Sequence, residues 1–241
     1  MLGEWSVEEG SKLRRYILLV CVLVGVLAIG WRLWRGAAPR EQGGDESAVT
    51  IDKEPVNFAT RTFDPANPPA EMPPMSAGEE AVCDSNFLSS VSVVGQSIET
   101  DGARELVTIR QVKVTLRLNI TIWVPIDATQ HVIDHEQGHR EISEYYYQGA
   151  DKIAERIATA YIGRRQLVSG ADLQDESNQW LGQMGNEITD EYNTELNPNP
   201  AQQRYDLMTD YSRNQVVAAD AVAQVLKDAA AAATAPANTG N

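Results

Sequence analysis

The chain has 241 residues, 43% of them hydrophobic, which is enough for one sizeable core with further segments attached. Its formal charge of −14 is unevenly spread: residues 1–40 carry six Lys/Arg against three Glu, so residues 41–241 carry −17, which argues against nucleic acid as a partner of the main domain. Cys21 falls in an apolar run, which leaves Cys83 without an expected intrachain partner and the redox compartment undefined.

Residues 1–15 are polar and end in Lys12, Arg14 and Arg15, and they read as a cytoplasmic N-terminus. Tyr16 to Trp31 is an uncharged run rich in Leu, Val and Ile; extended to Trp34 it spans about 28 Å as a helix. Trp31, Trp34, Arg32 and Arg35 are interfacial residue types, so 16–34 is expected to be a single transmembrane anchor. Gly36-Ala37-Ala38 offers a small-residue cut site, but bulky Trp and Arg precede it and favour an uncleaved segment. Basic residues tie across the run, so the positive-inside rule gives no orientation. Residues 35–80 hold seven of the eleven prolines among Gly, Ser, Asp and Glu, the composition of a disordered, semi-extended linker.

Residues 81–228 read as the folded domain. Val91, Val93 and Val94 precede a Thr100-Asp101-Gly102 turn, and then Val112, Val114, Leu116, Leu118, Ile120 and Ile122 alternate with polar residues as a half-buried strand ending at Pro125. Asp127-Ala-Thr-Gln130 reads as a helix start with a capping box, and the helix is expected to run to about Tyr161. Gly163 and Gly170 bracket a connection. A second helix follows over 171–195 around Leu173, Trp180, Met184, Ile188 and Tyr192; Asn197-Pro-Asn-Pro200 breaks it, and a final helix runs to about Ala233. The stretch 229–241 is low-complexity Ala/Thr/Pro.

All three histidines fall within His131 to His139. His135-Glu136-Gln137-Gly138-His139 is a full H-E-x-x-H pattern, in which two imidazoles one helical turn apart grip one zinc and the Glu handles a water. With 3 His in 241 residues and this chain's Glu content, chance produces the pattern roughly 0.003 times. On the helix, His135 and His139 share a face with Ile142, Tyr146, Gly149 and Ile153, so the metal face is the buried face. His131 stands about 12 Å along the axis from His139, too far to share an ion with it. Gly138 inside the helix suggests the close approach of another backbone. The competing reading is two core histidines bonded to carbonyls, with no metal.

The chain resembles a bacterial domain-of-unknown-function family, number nine hundred and twenty-two, whose members are described as secreted or membrane-attached zinc-dependent peptidases. The likeness covers roughly residues 83–225. It is carried by Thr121-Ile-Trp-Val-Pro125, by His135-Glu-Gln-Gly-His139-Arg-Glu-Ile142 and by Tyr205-Asp206-Leu-Met-Thr209-Asp-Tyr211-Ser-Arg-Asn-Gln215. The resemblance implies an α+β fold: a small antiparallel sheet packed on the H-E-x-x-H helix with further helices, preceded by one transmembrane helix. It also implies a zinc peptidase facing the periplasmic side of a bacterial inner membrane and acting on a polypeptide, with Glu136 as general base and His135 and His139 as zinc ligands. The family's last block carries a His where this chain has Tyr211 and a Gly where it has Ser212. Tyr211 is therefore the positional candidate for the third ligand, with Asp210, Glu187 and Glu191 as alternatives. A binding module that holds a cell-envelope protein without turnover is the rival reading.

Overall fold

Strand β4 (Arg104–Pro125) organises the domain, because six aliphatic side chains from Val112 to Ile122 point to one face and each is at most 1% exposed. In the computed structural model, which describes residues 48–75 and 78–234, four more strands pair with it: β1 (Val49–Lys53), β2 (Asn57–Phe63), β3 (Val82–Glu99) and β5 (Arg165–Ser169). β3 runs antiparallel along one flank of β4, with Val91 opposite Val114 and Phe87 opposite Leu118. The other flank is shared by β5, antiparallel, then β1 and β2, both parallel. The α+β expectation holds, but the sheet is mixed rather than antiparallel.

The stretch 35–80, expected to be a disordered linker, contains β1 and β2, so the folded domain includes residues from Val49 onward instead of beginning at 81. Ile51 pairs with Val114 and Phe58 with Ile120, and both side chains pack on the core. Pro55 lies between the two strands, where it removes no ladder hydrogen bond. The expected anchor at 16–34 lies outside the described residues; among those described, no helix is long and apolar enough to cross a membrane.

Helix α1 (Gln130–Gln148) carries the histidines. Its N-cap is Thr129, whose side chain accepts from the Val132 amide at 3.3 Å, not Asp127; Gln130 reaches forward to Asp134 instead of back. The single helix expected to Tyr161 is two, α1 and α2 (Ala150–Tyr161), parted at Gly149. Lys53 Nζ donates to the Gln148 carbonyl at 2.8 Å, satisfying an acceptor that the break leaves open. α2 and α3 (Leu173–Glu195) cover the core face of the sheet with Ala154, Ile157, Met184, Ile188 and Tyr192.

The final helix is also two. α4 (Asn199–Thr209) ends in three consecutive left-handed residues, Asp210 (φ 48°), Tyr211 (φ 55°) and Ser212 (φ 65°), before α5 (Ala218–Thr234) begins. α4 and α5 pack on α1 through Tyr205, Val222 and Val225 against Ile142. A Cβ at Gly138 would overlap the Tyr205 phenol, so the glycine answers to a side chain rather than to a backbone.

Candidate metal centre

Three side chains from α1 and α4 converge on one point. His135 Nε2 and His139 Nε2 lie 3.2 Å apart, and Asp206 Oδ1 lies 2.9 Å from His139 Nε2 and 3.5 Å from His135 Nε2. Atoms separated by 3.2, 2.9 and 3.5 Å fall on a circle of radius about 1.9 Å, so a point about 2.1 Å from all three stands roughly 1 Å out of their plane, close to one face of a zinc tetrahedron. Asp206 Oδ1 is buried with no N–H aligned on it despite these short approaches. Three acceptors turned toward a shared point fit a cation better than they fit each other. Among the described residues, His135, His139 and Asp206 form the group of His, Cys, Asp and Glu side chains able to hold a metal ion.

The surroundings prepare this donor set. Gln202 Nε2 donates to the His139 carbonyl at 3.1 Å and to Ser143 Oγ at 2.9 Å, which leaves Gln202 Oε1 as the acceptor 2.6 Å from His139 Nδ1. The Nδ1 of His139 therefore carries the proton and its Nε2 presents the lone pair, the arrangement that orients a histidine ligand. Tyr205 donates to the His135 carbonyl at 3.1 Å, and its ring stacks on the His135 ring at 5.0 Å between centroids. His135 Nδ1 is buried without a partner.

Charge at the group follows from burial and proximity. Burial lowers the His135 pKa. Burial also acts downward on His139, but Asp206, Glu136 and Gln202 together outweigh it and the net shift is upward. Asp206 is raised by burial and lowered more strongly by the two imidazoles, to about 2. Glu136, only 3% exposed, is pushed up to about 7 chiefly by burial, while the Cys83 amide donates to its carboxylate.

The group opens into a pocket of about 450 Å³. One wall is the start of β3, with Cys83, Ser85 and Phe87; another is the junction of α3 and α4, with Asn193 in the last turn of α3, Asn197 between the helices and Asn199 opening α4. Glu136 lines the same pocket as both imidazoles and Asp206, so a base, a donor set and a space for a ligand share one cavity. Burial drives the Cys83 thiol up to about 12, which leaves it protonated and unreactive.

His135, Glu136 and His139 come together as the motif requires. Tyr211, expected as third ligand, is not among the residues lining the pocket; it lies in the left-handed turn with the Arg213 guanidinium 5.5 Å from its ring centre. Asp210 pairs with Arg213 at 2.6 Å, Glu187 accepts from Gln183 and Glu191 from Tyr161, all outside the pocket. Asp206 stands beside the imidazoles in their place. Asp206 is not one of the ligand candidates read from the sequence, although it belongs to the Tyr205-Asp206 block. On α4, Gln202 and Asp206 are one turn apart on one side, a polar pair flanking Tyr205, and that spacing was the available signal.

No family model matches this chain, and neither a curated protein nor a solved structure matches it.

Proposed function

We propose that the chain is a zinc-dependent peptidase whose metal is held by His135, His139 and Asp206. The observation that carries the reading is the 2.9 to 3.5 Å triangle of two imidazole nitrogens and one carboxylate oxygen, with the buried Glu136 sharing its pocket. Two neutral nitrogens and one carboxylate are a hydrolytic zinc donor set that leaves a fourth position for water. Zinc held by these three side chains would supply Lewis acidity and make a bound water acidic near neutral pH.

Glu136 then acts as general base: its carboxylate takes the proton of the attacking water and passes it to the leaving amine. A proton affinity near neutrality suits both halves of that transfer, and burial supplies it. Gln202 fixes the His139 tautomer, and Tyr205 holds the His135 ring from behind. The proposed substrate is an extended polypeptide: among the described strands β3 pairs only with β4, and its first residues line the cavity, so a chain added along that edge would enter it.

The test starts with metal content. The full chain should carry one zinc per molecule, and Asp206→Ala and His135→Ala should lose it; a wild-type chain without stoichiometric metal would sink the proposal. Glu136→Gln should keep zinc and lower cleavage of a quenched-fluorescent peptide library by about 10² to 10⁴-fold. Zinc retained by the wild type with no peptide cleaved would instead leave the binding module.

A further inference from the structure

His131 opens α1 one turn before His135, yet its ring takes no part in the centre. Its Nε2–H donates to the Asn214 carbonyl, 2.8 Å away across 83 residues of sequence. A carbonyl only accepts, so this nitrogen carries the proton. Asn214 is held at its other polar groups as well: Nδ2 donates to the Met208 carbonyl at 2.9 Å, the backbone N–H to the Thr209 carbonyl at 3.4 Å, and Oδ1 accepts from the Val216 amide at 3.0 Å.

Asn214 closes a turn whose first three residues are left-handed, and none of them is glycine. Such a run persists only where its surroundings fix it. The amides of Asp210 and Tyr211 both donate to the Asp206 carbonyl, the latter at 3.1 Å. The turn thus grips the backbone of the residue whose carboxylate faces the two imidazoles, and His131 grips the turn from the helix that bears them.

We propose that His131 is a positioning residue: by clamping the 210–214 turn to the start of α1, it sets how closely Asp206 approaches His135 and His139, and so the affinity of the group for a divalent metal. This rests on reading that group as a metal centre. The clamp and the ligands join the same two helices, α1 and α4, so slack in one is slack in the other. A strut that merely stabilised the fold would leave metal affinity unchanged in the folded protein.

The full-length chain should be titrated with zinc against a competing chelator, at a temperature where circular dichroism shows each variant folded. His131→Leu keeps bulk and removes the donor, and zinc should bind it about 10 to 100-fold more weakly. His131→Gln places an amide donor near the position of Nε2, and its affinity should stay close to wild type. Wild-type affinity in His131→Leu, or equal losses in both variants, would overturn the proposal. Should the leucine variant fail to fold, linkage supplies a test without mutation, because a turn that favours zinc must be favoured by zinc. Hydrogen exchange at the Asp210 and Tyr211 amides should slow when zinc is added to the wild-type chain, and unchanged exchange overturns the clamp. A wild-type chain that takes no zinc removes the metal centre itself, and the inference with it.

Discussion

The core on β4 and the polar group on α1 use burial in opposite ways. Leu116, Leu118 and Ile120 are aliphatic and at most 1% exposed, so removing them from water is favourable at about 25 cal/mol per Å² whatever ligand is present. His135 and Glu136 are nearly as buried, at 4% and 3%, but their charged forms lose hydration there. Asp206 stays ionised because two imidazoles face it. The sheet therefore stabilises the domain by itself, whereas the group on α1 and α4 holds polar atoms in a costly arrangement that a cation would relieve.

The largest effect that would sharpen this contrast lies in the core. Leu118→Ala should destabilise the domain by about 2 to 5 kcal/mol, lowering the urea midpoint equally with and without zinc. Zinc affinity of the folded variant should match wild type. A large loss of affinity at this position would mean that the sheet and the group are not separable.

Glu136 gives the converse effect. In the metal-free domain its pKa rises from 4.5 to about 7, so its stabilising contribution is complete below pH 4.5 and is lost as pH climbs toward 7. That loss amounts to about 3 kcal/mol at most. Glu136→Gln should therefore unfold at higher urea than wild type at pH 8, with no zinc present, and the two should converge near pH 4. Asp206 has the opposite sign and a lower window, from 3.8 down to about 2, so acid unfolding below pH 4 reports the carboxylate and not Glu136. Equal stability of wild type and Glu136→Gln at pH 8 would show that the buried carboxyl carries no such cost.

The same contrast explains what the sequence revealed. Alternation over eleven residues from Val112 to Ile122 is legible because one buried face writes one pattern. β1 and β2 are not legible: with 5 and 7 residues among prolines they resemble linker, and only parallel pairing with a distant strand makes them part of the sheet. Local spacing also revealed His135, Glu136 and His139, since one helix sets their geometry. Asp206 comes from another helix, and which acid of the last block faces the imidazoles depends on where α4 ends, a boundary set by three left-handed residues that no propensity favours. The family resemblance points to Tyr211, whereas the break at Asp210 leaves it off the pocket wall.

A smaller effect is expected at Gln202, which touches His139 on the side away from Asp206. Gln202→Leu removes the acceptor from His139 Nδ1 and the donors to Ser143 and the His139 carbonyl. Zinc should bind about 10 to 100-fold more weakly, equal to roughly 1.4 to 2.8 kcal/mol, with little change in the core. An unchanged zinc affinity would mean that α1 alone orients the ring.

The smallest effect belongs to Tyr211. Tyr211 is not among the residues lining the pocket, and the Arg213 guanidinium lies over its ring in the turn. Tyr211→Phe keeps that ring and removes only the group that would coordinate a metal. If Asp206 is the third ligand, zinc affinity in Tyr211→Phe stays within about twofold of wild type, a difference under 0.5 kcal/mol. A hundredfold loss would instead return the phenol to the centre, and the left-handed turn would then have to open for it to arrive. Titration of this variant beside Asp206→Ala decides between the two oxygens, because the one that binds the metal is the one whose removal costs the larger share of zinc affinity.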